Sequence, residues 1–215
     1  MSVIEDLKAM GTLMVERGLV AGPGGNLSAR DGQRMVCSPS GYDVDRVADA
    51  DWSVVDIESG KPLSGPRPTS EWEMHLLALR SRPEMRFVCH AHPPLATGLI
   101  SGGADLVAFT PDFVAFVDRV AHAPFVIPAG PELAQAVERA FATGAPAVGL
   151  RNHGFVTLGR TAREALVRMM CIEDGAKTQL AAMVAGKPRP LTPAEQDAIR
   201  ALGAEAYRRK VLGDQ

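Results

Sequence analysis

Aromatic residues make up only 5% of this 215-residue chain. That scarcity removes the stacking platforms on which single-stranded nucleic acids are read. An excess of charge of either sign is lacking too: 23 Lys and Arg against 25 Asp and Glu leave a formal net charge of -2. Neither nucleic acid nor an anionic membrane surface is therefore expected as a partner. No apolar run approaches the roughly 20 residues that a bilayer-spanning helix needs. The opening stretch MSVIEDLKAM carries acids early and has no signal-peptide profile. Cys37, Cys89 and Cys171 form an odd, unpatterned set in apolar surroundings, which reads as buried thiols and not as a disulfide frame. A cytoplasmic location is the expectation.

What is there is enough apolar material for a core. Hydrophobic residues are 46% and charged residues 22% of the chain, consistent with a single domain over residues 1–215. SVIEDLKAMGTLMVERG opens with a capping box, Ser2 and Glu5, then carries Val3, Leu7, Met10 and Met14 at helical spacing and stops at Gly18. AGPGGNLSAR is a glycine-rich turn into a strand, and RMVCSPSGYD is its hairpin partner followed by a loop. WSVVDIESGKPL is a third strand that ends in a turn at Ser59 and Gly60. TSEWEMHLLALRSRP predicts a helix that starts at Thr69 or Ser70 and is ended by Pro83. GPELAQAVERAFATG is a further amphipathic helix, and APAVGLRNHGFVTLG reads as strand, tight turn, strand. A second capping box, Thr161 with Glu164, opens the longest helix, and Thr192, Pro193 and Glu195 repeat the device near the end. Regular crossover helices do not separate the strands. The pattern predicts an α/β fold with a central, mostly antiparallel sheet flanked by helices.

The chain has five histidines, and RFVCHAHPPLATGLI places two of them, His90 and His92, two residues apart in an apolar run. Side chains at i and i+2 of a strand project to the same side. Two imidazoles held side by side suit a divalent metal, although a lone pair of this kind also arises by chance. Further ligands must come from elsewhere. His75 sits inside a helix and His122 lacks a nearby polar companion in sequence. His153, in GLRNHGF, falls at the turn of a hairpin, from which it can reach back over the end of the sheet. Glu71 follows at a helix start, where an acid serves ordinary dipole and capping chemistry equally well. Three neutral nitrogens and one carboxylate oxygen would suit Zn²⁺ best, with Mn²⁺, Co²⁺ or Fe²⁺ as alternatives.

Three loops form a second constellation. PGGNLS offers Gly24, Gly25 and Asn26, SPSGY offers Ser40 and Gly41, and RPTSEW offers Thr69 and Ser70. Glycines admit backbone N–H groups to a ligand, the hydroxyls and the amide donate, and a helix start adds positive potential. Each piece alone is turn or cap chemistry. Together they make a phosphate cradle adjoining Glu71.

The order Gly-Gly-Asn-Leu-Ser, Ser-Gly-Tyr, Thr-Ser-Glu-Trp, His-Ala-His-Pro, Asn-His-Gly resembles the class II aldolase/adducin family from about residue 5 to 185. The glutamate in TSEW makes the pattern similar to fuculose-phosphate type aldolases; related epimerases typically carry aspartate there. The resemblance implies that His90, His92 and His153 bind one divalent metal per chain and that Glu71 is the acid/base residue, also touching the metal when substrate is absent. It implies that Asn26, Ser40, Gly41, Thr69 and Ser70 bind the phosphate of a sugar phosphate. The implied assembly is a homotetramer with sites at subunit interfaces.

One departure stands out. Aldolases of this type use a tyrosine from a neighbouring subunit to protonate the leaving aldehyde oxygen, but the corresponding TPDFVAFV contains Asp112 and Phe113 and no tyrosine. Tyr207, Asp112 or a water would have to serve, or the reaction differs; Tyr207 matches a tail tyrosine of relatives. Phe113, Phe116 and Val117 would make the aldehyde end of the pocket apolar, unless they pack in the core or an interface. An apolar end would favour 5-deoxyribulose 1-phosphate or 5-methylthioribulose 1-phosphate over a fully hydroxylated ketose, with L-fuculose 1-phosphate as a further substrate. The same metal platform serves an epimerase, a methylthioribulose-phosphate dehydratase and an aromatic-acid decarboxylase. A non-catalytic adducin-like interaction domain would have no need of the ligands.

Overall fold

Eight short strands build one sheet in the computed structural model, which describes residues 2–214. In chain order they are β1 (Asn26–Asp31), β2 (Arg34–Cys37), β3 (Ser53–Asp56), β4 (Pro62–Ser64), β5 (Phe87–Ala91), β6 (Val120–Ala123), β7 (Ala147–Leu150) and β8 (Gly154–Gly159). Across the sheet they lie in the order β4-β3-β2-β1-β5-β8-β7-β6. Neighbours run antiparallel except β6 and β7, which are parallel. The helices are α1 (Val3–Glu16), α2 (Trp72–Ser81), α3 (Pro94–Ser101), α4 (Gly130–Phe141), α5 (Ala162–Ala185), α6 (Pro193–Ala201) and α7 (Gly203–Asp214). The expected architecture is the one observed.

Two apolar layers cover the sheet. Phe87, Cys89 and Ala91 alternate onto one face and pack with Leu7, Met10 and Met14 of α1 and Met169 and Ile172 of α5. Val88 turns to the opposite face, among Met74 and Leu79 of α2 and Val137 and Phe141 of α4. Helices on both sides of β5 explain why its sequence is apolar on both alternations up to His90. Period two then carries His90 to the Val88 side, where α2 begins. Cys37 and Cys89 are buried free thiols, and burial pushes both up to about 12; Cys171, partly exposed, is likewise free.

Several boundaries differ from the sequence expectation, each for a physical reason. α2 starts at Trp72, and Glu71 occupies the cap position with φ -106° and ψ 16°, because Thr69 and Ser70 spend their backbone on a turn closed by the Trp72 N–H to Thr69 carbonyl bond. Ser2 and Thr192 form complete capping boxes, but the one at Thr161 is half made. Its hydroxyl accepts from the Glu164 N–H, while the Glu164 carboxylate turns instead to the Arg160 N–H and the Arg168 guanidinium. The terminal helical stretch breaks at Leu202, whose ψ of 127° separates α6 from α7. The two prolines end β5 as expected, yet Pro94 also opens α3, since a first-turn residue has no helical partner for its N–H anyway. The strand β6 and a π-helical turn over Phe113–Val117 had no periodic signal, both being too short to show one.

The approach of β8 to β5 requires a glycine. A Cβ on Gly154 would stand 2.4 Å from the Ala91 carbonyl oxygen and 2.6 Å from Cδ2 of His92. Gly154→Ala should therefore separate the two strands and lower stability by about 1–3 kcal/mol. Urea unfolding of the variant measures this; an unchanged midpoint would contradict the close approach.

Candidate metal centre

The side chains of His90, His92 and His153 meet at the end of the sheet. His90 ends on β5, His92 follows it by two residues, and His153 occupies the β7–β8 turn, so the β5–β8 pairing brings all three together. One ligand atom from each lies within 4.8 Å of the others. Nε2 of His92 is 3.0 Å from Nε2 of His90. Glu71 closes the group: its Oε2 is 3.1 Å from His90 Nε2 and its Oε1 is 3.2 Å from His153 Nε2. The hairpin turn does not expose His153, whose side chain is 9% exposed because it reaches back over the sheet as expected.

Hydrogen bonding sets the protonation of these groups. The Phe155 carbonyl can only accept, so His90 donates to it from Nδ1 (2.9 Å) and presents the Nε2 lone pair to the centre. Burial, with His90 and His153 nearby, lowers His92 to about 4 against the opposing pull of Glu71, leaving it neutral near pH 7. For Glu71, burial alone would raise the carboxyl. The adjacent His90 and His153 rings and the Asn26 amide outweigh burial and hold it well below the usual carboxylate range. The centre therefore sets imidazole nitrogens against an ionised carboxylate.

Such a set fits a divalent cation. Nitrogen ligands at tetrahedral Zn²⁺ distances stand about 3.3 Å apart; those of His90 and His92 are 3.0 Å apart, and all three ligand atoms lie within 4.8 Å of one another. Oε1 of Glu71 and Nδ1 of His153 are buried without a well-formed hydrogen bond, and a cation bound between these residues would satisfy the former directly. The donor type, three imidazoles and one carboxylate, is that of zinc and its neighbours in the first transition row.

The loops expected to cradle an anion also converge. An antiparallel bridge at Pro39 and Pro68 ties SPSGY to RPTSEW, with the Ser40 N–H donating to Arg67 and the Thr69 N–H to Ser38. The Ser38 hydroxyl accepts from the Leu27 N–H and so fastens the first loop beside the other two. Gly25 is required where it stands: its φ is 76°, and a Cβ would lie 2.8 Å from the His90 carbonyl oxygen. Ser40, Gly41 and Ser70 are exposed, whereas Thr69 and Asn26 are buried. Asn26 is already engaged, since its Nδ2 donates to Glu71 Oε2 over 2.9 Å.

Not every expected residue arrives. Tyr207 stands on α7, 69% exposed, on a groove shared with Phe116, Arg163 and Arg208, and the chain does not itself bring it to the histidines. Asp112 is ion-paired to Arg208 over 2.8 Å. Phe113 and Val117 belong to the core, Phe113 packing against Gly175 of α5, and Phe116 lies under the Arg208 guanidinium. Of the two readings of that segment, packing is the one Phe113 and Val117 show: they hold the π-helical turn onto α5. His122 does have a polar companion, Asp105, at 3.8 Å. One residue beside the centre escaped sequence reasoning altogether. His75, fully buried, hydrogen-bonds Asn26 and Ser28. Its signal was the spacing of four from Glu71, which sets both on one side of α2.

Residues 5–180 match the family model described as the class II aldolase and adducin N-terminal domain. The chain is 32% identical to a protein named L-fuculose phosphate aldolase from Methanococcus vannielii, over 77% of this chain and 88% of that one. It is 31% identical to a 3-oxo-tetronate 4-phosphate decarboxylase from Haemophilus influenzae (78% and 82% covered). A 5-methylthioribulose-1-phosphate/5-deoxyribulose-1-phosphate aldolase from Rhodospirillum rubrum is 28% identical (85% and 82% covered). Among solved structures, one named L-fuculose 1-phosphate aldolase superposes with a TM-score of 0.86 at 32% identity, covering 96% of each chain.

Metal analysis tests the centre. Wild type should retain one divalent ion per chain after metal-replete purification. His92→Ala should lose it while circular dichroism stays unchanged. Equal metal content in both would remove His92 from the ligand set.

Proposed function

The chain belongs to the class II aldolase and adducin family, and on that premise we propose that it is a divalent-metal-dependent aldolase cleaving a ketose 1-phosphate to dihydroxyacetone phosphate and an aldehyde. The observation that carries this reading is the meeting of three imidazoles and Glu71, beside loops tied to one another at Pro39 and Pro68.

The chemistry asks for three things. The phosphate must be held, and Ser40, Gly41, Thr69 and Ser70 supply hydroxyl and backbone donors without a competing acid, with Asn26 beside them. Charge must be stabilised where it develops, and a divalent ion held by His90, His92 and His153 would supply that for the enediolate left on the dihydroxyacetone phosphate half. A proton must then reach the carbon next to the carbonyl. In the condensation direction ionised Glu71 would be the base that removes it; in cleavage Glu71 would return it after being protonated within the site, the proton count balanced by the one that the hydroxyl of the aldehyde-forming carbon gives up. Burial of Glu71 keeps bulk water from competing for that proton. We assign the hydroxyl of the aldehyde-forming carbon to Tyr207, which a neighbouring copy of the expected homotetramer would have to contribute. Zinc as the metal, a cytoplasmic location and one domain over the whole chain complete this reading.

The aldolase relatives support 5-deoxyribulose 1-phosphate, 5-methylthioribulose 1-phosphate and L-fuculose 1-phosphate as the first substrates to try. A decarboxylase is the second reading, favoured by the relative of that name; loss of CO₂ from a 3-oxo acid phosphate leaves the same kind of charged oxygen pair. Metal-replete wild type incubated with these ketose 1-phosphates should release dihydroxyacetone phosphate from at least one of them. Release of CO₂ from a 3-oxo-tetronate phosphate in its place would transfer the protein to the decarboxylases. Neither product, with the ion bound, would defeat both readings and favour an interaction domain.

A further inference from the structure

We propose that His75 is a positioning residue for Glu71, acting through the side-chain amide of Asn26. The inference rests on the role given to Glu71 in the aldolase reading, but the hydrogen-bond chain beneath it can be tested without turnover.

The argument follows from which atoms can donate. The amide nitrogen of Asn26 donates to Glu71 Oε2 over 2.9 Å. The amide oxygen of Asn26 is then the atom 2.5 Å from His75 Nε2, and that nitrogen must carry the proton. His75 Nδ1, left with a lone pair, must accept, and the Ser28 hydroxyl 2.8 Å away is the donor. Every member of the series Ser28, His75, Asn26 is buried, and His75 is 0% exposed. Burial, the nearby His90 and the opposing Glu71 together lower His75 to about 3, so it stays neutral and keeps the tautomer the series requires. No bulk water is at hand to replace a lost partner.

The consequence is directional. Asn26 sits at the start of β1, paired with His90 of β5. An amide free to flip would turn its oxygen toward the Glu71 carboxylate and repel it. His75 Nε2–H blocks the flip, and with it one oxygen of Glu71 is held where the proton transfer needs it. The Asn26 amide oxygen, which can only accept, decides which imidazole nitrogen is protonated, and the Ser28 hydroxyl completes the chain by donating to Nδ1.

Two polar substitutions separate positioning from packing. Gln at position 75 places an amide N–H near the original Nε2, whereas Asn reaches only the Nδ1 position and stops short of Asn26. His75→Asn should lower kcat about 10- to 100-fold while His75→Gln stays within about threefold of wild type, as outer partners of metal sites behave. Both should keep the wild-type metal content and change KM less than kcat. Independently, long-range ¹H–¹⁵N NMR of histidine-labelled wild type at pH 7 should show His75 as the Nε2–H tautomer. Equal kcat for the two variants, or an Nδ1–H tautomer, would overturn the proposal. If His75→Asn does not fold, the tautomer decides alone. If wild type cleaves no ketose phosphate, the aldolase reading fails while the spectrum still tests the chain.

Discussion

Lone pairs that face one another need something positive between them. That constraint organises one whole end of this molecule. Nε2 of His90 points at Nε2 of His92 and at a carboxylate oxygen of Glu71, all at about hydrogen-bond distance. The Phe155 carbonyl has already claimed the only proton His90 carries when neutral. A buried arrangement of this kind is costly by itself and is stabilised by a shared cation. The β5–β8 pairing, the glycine that allows it and the cap position of Glu71 are the means by which the backbone imposes it.

Around that centre the fold divides its labour. The face bearing α1 and α5 is apolar and does no chemistry; it fixes β5 and the turn after it. Glu173 of α5, buried, accepts the Leu95 and Ala96 N–H groups at the start of α3, and so anchors the chain just past His92. The opposite face, where α2 begins, carries the polar series Ser28, His75, Asn26 and Glu71. Each hydrogen bond in it fixes the orientation of the next member, and Glu71 Oε1 is left open toward the histidines.

How much of this could be read from the chain alone depended on whether a residue's role was local. The two-residue spacing of His90 and His92 states their common side outright, and the Asn-His-Gly turn locates His153 at the end of a hairpin. Glu71 lay next to Thr69 and Ser70, so the joining of the two constellations was written into one tripeptide. His75 was missed because a histidine inside an amphipathic helix looks like any core histidine; its partners come from β1, about fifty residues away. The segment around Phe113 stayed open between pocket and packing for the complementary reason. Its apolar side chains serve packing against α5, and a π-helical turn has no period that sequence could show. The role proposed for Tyr207 would depend on a neighbouring copy, a relation that no single chain displays.

The central claim is that three imidazole nitrogens hold one ion next to Glu71. X-ray absorption at the metal edge of the metal-replete protein tests it most directly. The account predicts a first shell at about 2.0–2.1 Å with the multiple scattering of three imidazoles and one or more oxygens. An oxygen-only shell, or no ion retained for the measurement, would contradict it.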